Sequence, residues 1–176
     1  AKEDAERLWQ SVLADTFPRP GSDLPEGWRW VRLGEVCEVV MGQSPSSKTY
    51  NREGKGLPFF QGKADFGQLY PMPRVWCSEP IKIAEEGDVL ISVRAPVGPT
   101  NVSNTRCCIG RGLAALRPQS IVDRWWLLYY LRSIESMLGK SGSGSTFNAI
   151  TKKELLSLII PLPPLAEQRR IVAELE

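Results

Sequence analysis

From Ala1 to Phe17 the apolar residues Ala5, Leu8, Trp9, Val12, Leu13 and Phe17 recur at three- and four-residue spacing, one stripe of an amphipathic helix. Pro18 and Pro20 end it, and FPRPGSDLPEGW reads as an extended linker because proline excludes helix and biases its neighbour toward extended backbone. From Leu24 the pattern becomes strand-like, with apolar runs at 30–33, 36–41, 57–60, 75–77, 89–93, 107–109 and 113–116 separated by Gly/Pro/Ser/Asn clusters. Asp123 then opens WWLLYYLRSIESML, read as one helix over 123–138 with Asp123 as N-cap and Gly139 as its stop. Beyond the loop GKSGSGSTFNAI, Thr151 and Glu154 form a capping box that starts a short helix. A strand-like run at 158–160 passes through PLPP into LAEQRRIVAELE, where Leu165, Gln168, Val172 and Leu175 alternate at three- and four-residue spacing.

These elements predict an α+β fold: a twisted, mostly antiparallel sheet with packed helices, plus coiled-coil-type helices at the ends. Residues 1–17 read as the end of a spacer helix, 18–23 as a linker, 24–163 as the globular domain and 164–176 as the start of another helix. Both terminal helices are expected to be cut from longer ones. Leu8, Val12, Leu165, Gln168, Val172 and Leu175 are then candidates for a helix-mediated subunit interface, including one with a second copy of the chain.

Length fits one domain with a proper core, and no apolar run approaches a membrane span, which with no signal-peptide pattern makes cytoplasm the expected location and a membrane partner unexpected. The sequence has no histidine, and Cys37, Cys77, Cys107 and Cys108 form no C-x-x-C pair, so neither a zinc site nor a Ser-His or Cys-His nucleophile is expected. Gly110 to Ala115 fits G-x-G-x-x-A, but Pro118 arrives too early for the long helix a dinucleotide site needs. Gly139-Lys140-Ser141 ends like a phosphate loop, yet Ile134 stands where its first glycine belongs. Leu162-Pro163-Pro164-Leu165 lacks the polar residue and the aromatic with which amino-methyltransferases hold a flipped base. No metal and no cofactor is assigned to the chain.

Net charge is only +2, but it is unevenly spread. Residues 1–38 hold five basic and eight acidic groups, whereas 39–63 hold Lys48, Arg52, Lys55 and Lys63 against Glu53, and 94–132 hold six arginines against Asp123. Two basic segments in a nearly neutral chain suit a surface aimed at phosphates. Gln61, Lys63, Arg94, Arg111 and Asn148 lie at the ends of predicted elements and can address guanine or adenine edges. Lys48 belongs to the first basic segment, and Ser143, Ser145 and Thr146 lie in a small hydroxyl-rich loop able to approach phosphate oxygens. Arg94 and Arg111 stand out because each follows an apolar strand and adjoins a Pro- or Gly-stiffened loop.

The order and spacing of LPEGWRWVRLGEV at 24–36, GDVLISVRAPVG at 87–98, CCIGRGLAALRP at 107–118, GSGSTFNAITKKEL at 142–155 and IPLPPLAEQRRIVAELE at 160–176 resemble specificity subunits of type I restriction-modification systems. The resemblance implies that 24–163 is a target recognition domain reading one half of a bipartite double-stranded DNA site, flanked by the family's spacer helices. It implies methyltransferase subunits that supply methylation from S-adenosylmethionine and a restriction subunit that supplies ATP-driven cleavage, with no catalysis in this chain. Two alternatives stay open at this point: the specificity portion of a fused restriction-methyltransferase enzyme, and a helix-mediated assembly module. Recognition domains vary within the family, so the DNA-facing positions rest on residue chemistry.

Overall fold

A computed structural model describes residues 1–140 and 149–176. Helix α1 covers Lys2–Thr16; strand β1 (Arg29–Arg32), the single turn α2 (Leu33–Val36) and β2 (Cys37–Met41) follow the linker. The chain continues through β3 (Tyr50–Asn51), β4 (Leu57–Phe60), β5 (Trp76–Cys77), β6 (Ile83–Ala84), β7 (Val89–Ser92), β8 (Thr100–Val102), β9 (Cys107–Ile109) and β10 (Leu113–Pro118). Helices α3 (Arg124–Ser133), α4 (Glu135–Leu138) and α5 (Lys152–Ser157), strand β11 (Ile159–Leu162) and helix α6 (Leu165–Leu175) complete it.

The strands form three sheets among the described residues, where one was expected. An antiparallel sheet ordered β2-β10-β7-β8 is the centre, a mixed sheet ordered β3-β5-β4-β9-β6 lies beside it, and β1 pairs antiparallel with β11. Among the described residues only the β4–β9 pairing is parallel. Strands β7 and β10 explain why VLIS and LAAL are continuous apolar runs: both of their faces are covered. Val89, Ile91, Ala114 and Leu116 join the core that contains Leu127, Leu128 and Leu131 of α3, while the alternate residues Leu90, Leu113 and Ala115 pack with Phe60, Cys107 and Ile109. The two-residue period of a strand divides one sequence between two cores.

Asp123 caps α3 as expected, its carboxylate accepting from the Trp125 and Trp126 amides. The helix is broken, however, and does not run through to residue 138. Ile134 sits at φ −109 and ψ 9, and the Ser133 hydroxyl donates back to the Tyr130 carbonyl, a bond that competes with the helical ladder. Trp126 and Tyr130 are fully buried and tie the core to β11, donating to the carbonyls of Pro161 (2.9 Å) and Ile159 (3.0 Å). The aromatic run is core, with no exposed stacking platform along it.

The terminal helices belong to this same core. In α1, Trp9, Leu13 and Phe17 turn inward, with Phe17 stacked 4.8 Å from Trp126, while Leu8 stays 68% and Val12 37% exposed. In α6, Gln168, Ile171 and Val172 are buried against the domain and Leu175 packs onto its core. Gln168 and Val172 are therefore corrected from interface to interior positions: the stripe read as a coiled-coil seam is covered by the chain's own α3. Leu165 is half-buried at the start of α6. No helix among the described residues is long and apolar enough to cross a membrane.

Candidate nucleic-acid interface

The arginines of the second basic segment separate by what they touch. Arg117 donates to Asp88 at 3.0 and 2.8 Å and to Glu38 at 3.2 Å; the hydrogen bond to Asp88, more than any other cause, raises its pKa. Arg106 pairs with Glu85 at 3.2 Å. Arg132 is drawn inward, donating to the carbonyls of Gln68 (2.8 Å) and Thr100 (3.0 Å), and burial lowers its pKa. Arg124 lies so close to Gly87 that a Cβ there would sit 2.8 Å from its guanidinium carbon. Arg117, Arg106 and Arg132 brace the fold through these bonds, whereas Arg124 is exposed and only lies against Gly87. Arg94 and Arg111 are exposed, and their guanidinium groups make no hydrogen bond or ion pair among the described residues.

Arg94 stands on a tightly held loop. The Val93 amide donates to the Gly112 carbonyl (2.9 Å), and the Val93 carbonyl accepts from Ile150 (2.8 Å). Arg94 itself makes an antiparallel bridge with Ala149. Beneath it the buried Ser92 hydroxyl lies 3.0 Å from the Arg94 carbonyl and 2.7 Å from that of Pro96, so one proton is shared between two acceptors. Three chain segments thus fix the backbone that carries an exposed guanidinium.

Across from this loop, Gln61 is pinned from both sides. Its amide donates to Asp65 (2.8 Å), and its carbonyl accepts from Gly112 (3.1 Å). Gly112 must be glycine for that approach, since a Cβ would lie 2.3 Å from the Gln61 carbonyl oxygen. Asp65, almost fully buried, also receives Arg74 on one oxygen, at 3.2 Å from Nε and 2.6 Å from Nη2. Between the two walls lies a cleft of about 700 Å³ to which Gln61, Lys63, Arg74 and Arg94 contribute, with Phe59, Val75, Ala95 and Pro96 as its apolar surface.

Of the sequence-derived DNA-facing residues, Gln61, Lys63 and Arg94 therefore line one cleft. Arg111 precedes Gly112 in the chain but does not line the cleft; its amide donates to the Ser44 hydroxyl at 3.2 Å. Lys48 is exposed on a turn at Ser47–Thr49 and does not line the cleft. Ser143, Ser145, Thr146 and Asn148 lie outside the described residues. Asp65, Arg74 and Ser92 were missed by sequence reasoning. Asp65 and Arg74 act through partners four to nine residues away, Ser92 caps the carbonyls of its own loop, and nothing in KADFG or ISVRA marks them. Among the described residues no group of His, Cys, Asp or Glu is arranged to hold a metal.

Comparison with known proteins agrees in kind. The family model for the type I restriction modification DNA specificity domain matches residues 25–176. The type I restriction enzyme MjaX specificity subunit of Methanocaldococcus jannaschii is 47% identical over 157 residues, covering 88% of this chain and 37% of that protein. The HsdS subunit crystal structure from Thermoanaerobacter tengcongensis superposes with a TM-score of 0.86 at 66% identity, over 99% of this chain and 43% of that one. A chain solved in work on complex assembly and conformational transition of the type I R-M system gives a TM-score of 0.91 at 68% identity, over 98% and 43%. The chain thus spans well under half the length of these relatives.

Proposed function

The chain belongs to the type I restriction-modification DNA specificity family, and from that membership we propose that it reads one half of a bipartite double-stranded DNA site for a type I complex. The observation that carries this reading is the cleft: Gln61, Lys63 and Arg94 converge on it, and the exposed Arg111 precedes its Gly112 in the chain, while Arg117 and Arg132 are engaged inside the fold. Unpaired guanidinium groups on a rigid backbone are the form of donor that phosphates and base edges accept. In this reading, methyltransferase subunits use S-adenosylmethionine and a restriction subunit uses ATP; the chain itself supplies neither cofactor nor catalysis. Leu8 and Val12 on the outer face of α1 are the positions left to meet another helix. Work on the assembly of a similar type I system is what supports such partners for this chain.

The test is Arg94→Ala and Arg111→Ala in the full-length subunit, reconstituted with its methyltransferase subunits, with methylation profiled over a sequence library. If either arginine reads a base, its removal relaxes one base pair by about 1–3 kcal/mol. If it holds a phosphate instead, its removal weakens all sequences and lowers the log–log salt slope by about 0.9. Wild-type affinity and target choice in both variants overturn the assignment.

A further inference from the structure

We infer that Arg74 is a specificity-determining residue that reads guanine, and that Asp65 is the positioning residue that aims it. The inference rests on the DNA-reading role of the cleft. Arg74 lies between β4 and β5, outside both basic segments, so its chain neighbourhood gives no electrostatic reason to suspect it.

The geometry is specific. Asp65 is 8% and Arg74 61% exposed at the side chain, so a buried carboxylate holds a guanidinium that reaches into the open. The contact uses the Nε–Nη2 edge of Arg74, with both nitrogens on one oxygen of Asp65. The other oxygen of Asp65 is occupied by the Gln61 amide at 2.8 Å, which prevents the carboxylate from turning. Arg74 therefore keeps its outer edge, Nη1 and the second N–H of Nη2, as two nearly parallel donors fixed in direction. Two such donors match the O6 and N7 acceptors of guanine.

Phosphate also accepts such a fork, but the charge argues against it here. A carboxylate 2.6 Å from Nη2 largely compensates the guanidinium. A phosphate would then gain little attraction and no net counterion release. A guanine edge is neutral and needs direction more than charge, and directed donors remain when charge is compensated. The surrounding wall favours the same ligand, because Phe59, Ala64 and Val75 offer it apolar surface.

Three variants of the full-length subunit in the reconstituted complex decide the matter: Arg74→Ala, Arg74→Lys and Asp65→Asn. Arg74→Lys keeps the ion pair but not the fork, and Asp65→Asn keeps an acceptor for the Gln61 amide. The expected result is loss of an about 5- to 150-fold guanine preference at one base pair in Arg74→Ala and Arg74→Lys. Asp65→Asn is expected to lose part of it at the same pair. The salt slope should be that of the unmodified complex and the melting temperature of Arg74→Lys unchanged. A uniform loss of affinity across sequences, with the preference at every base pair intact, shows a phosphate contact and overturns the inference. A fall in melting temperature with target choice intact shows a structural ion pair and overturns it too. If Arg94→Ala or Arg111→Ala relaxes a position and Arg74→Ala does not, the inference fails and the reading of the cleft stands. Wild-type target choice in all of these variants overturns both.

Discussion

Replacing Gln168 by leucine should destabilise the domain severely and leave its association with partner helices untouched. The carboxamide is fully buried and fully used: its oxygen accepts from the Asp123 amide at 2.8 Å, and its nitrogen donates to the carbonyls of Ile121 and Pro163, each at 2.9 Å. It thus joins α6, the cap of α3 and the end of β11 at one point. Leucine fills much the same volume but strands one donor and two acceptors, and a stranded buried group costs about 1–3 kcal/mol. Some of this is recovered because leucine buries more apolar surface and water reaches part of the site. The net loss is roughly 3–5 kcal/mol, against a total stability of about 5–15 kcal/mol for a typical domain. At about 2–4 °C per kcal/mol for a chain of this size, the melting temperature should fall by roughly 6–20 °C. Gln168→Glu, which keeps the acceptor but turns a carboxylate toward two carbonyls, should fall at least as far. Calorimetry and light scattering on the same samples decide it. Melting within about 2 °C of the unmodified protein together with abolished association would refute the reasoning and return Gln168 to an interface.

Ser92→Ala removes the hydroxyl shared by the Arg94 and Pro96 carbonyls, so it should cost about 1–2 kcal/mol and relax target choice at the same position as Arg94→Ala, more weakly; a methylation profile identical to that of the unmodified complex counts against the pedestal role. Burial pushes the thiol of Cys107 from 9.0 up to about 11 and that of Cys37 up to about 12. The folded state favours the protonated thiols, so this contribution is complete below pH 9.0 and is lost as pH rises through about 11. Denaturant midpoints at pH 8 and pH 10 should show lower stability at the higher pH, and a flat dependence would contradict buried neutral thiols. Tyr130, raised by burial, acts in the same direction.

How far the sequence could be read depended on whether the deciding interaction was local. The Asp123 cap, the capping box at Thr151 and Glu154, and the proline end of α1 are local chemistry and are found where the pattern predicts them. Gln61 and Arg94 each come just after an apolar strand, and the ends of those two strands meet at one cleft, to which Lys63 also contributes. The assignment of Gln168 and Val172 failed for a definite reason. Three- and four-residue spacing states that a helix has an apolar face, but not which body covers it, and here the body is α3 of the same chain. The helix break at Ile134 was hidden because the apolar spacing runs unbroken across it, and a serine inside such a pattern does not by itself announce a stop. Arg74 could not be seen at all: its meaning depends on Asp65, and Asp65 becomes a buried anchor only once the strands on either side have been assembled.

The pairing of β1 with β11 also has a mechanical consequence. Arg29 lies opposite Leu162, so the chain enters and leaves the domain at the same end of one short antiparallel ladder. Just beyond that end, the Trp28 indole donates to Glu167 of α6 at 3.1 Å. Tension that separates the two ends would first have to free α1 and α6 from the core, the three hydrogen bonds of Gln168 included, and only then would it peel the ladder open from Arg29 and Leu162 inward. Torque applied to both ends together meets no such sequence. It passes through Phe17, Trp126 and Val172 into the common core, and the whole unit turns as one lever. The ladder at the entrance thus lies behind the packed helices, and a rotation of those helices would carry the cleft with it.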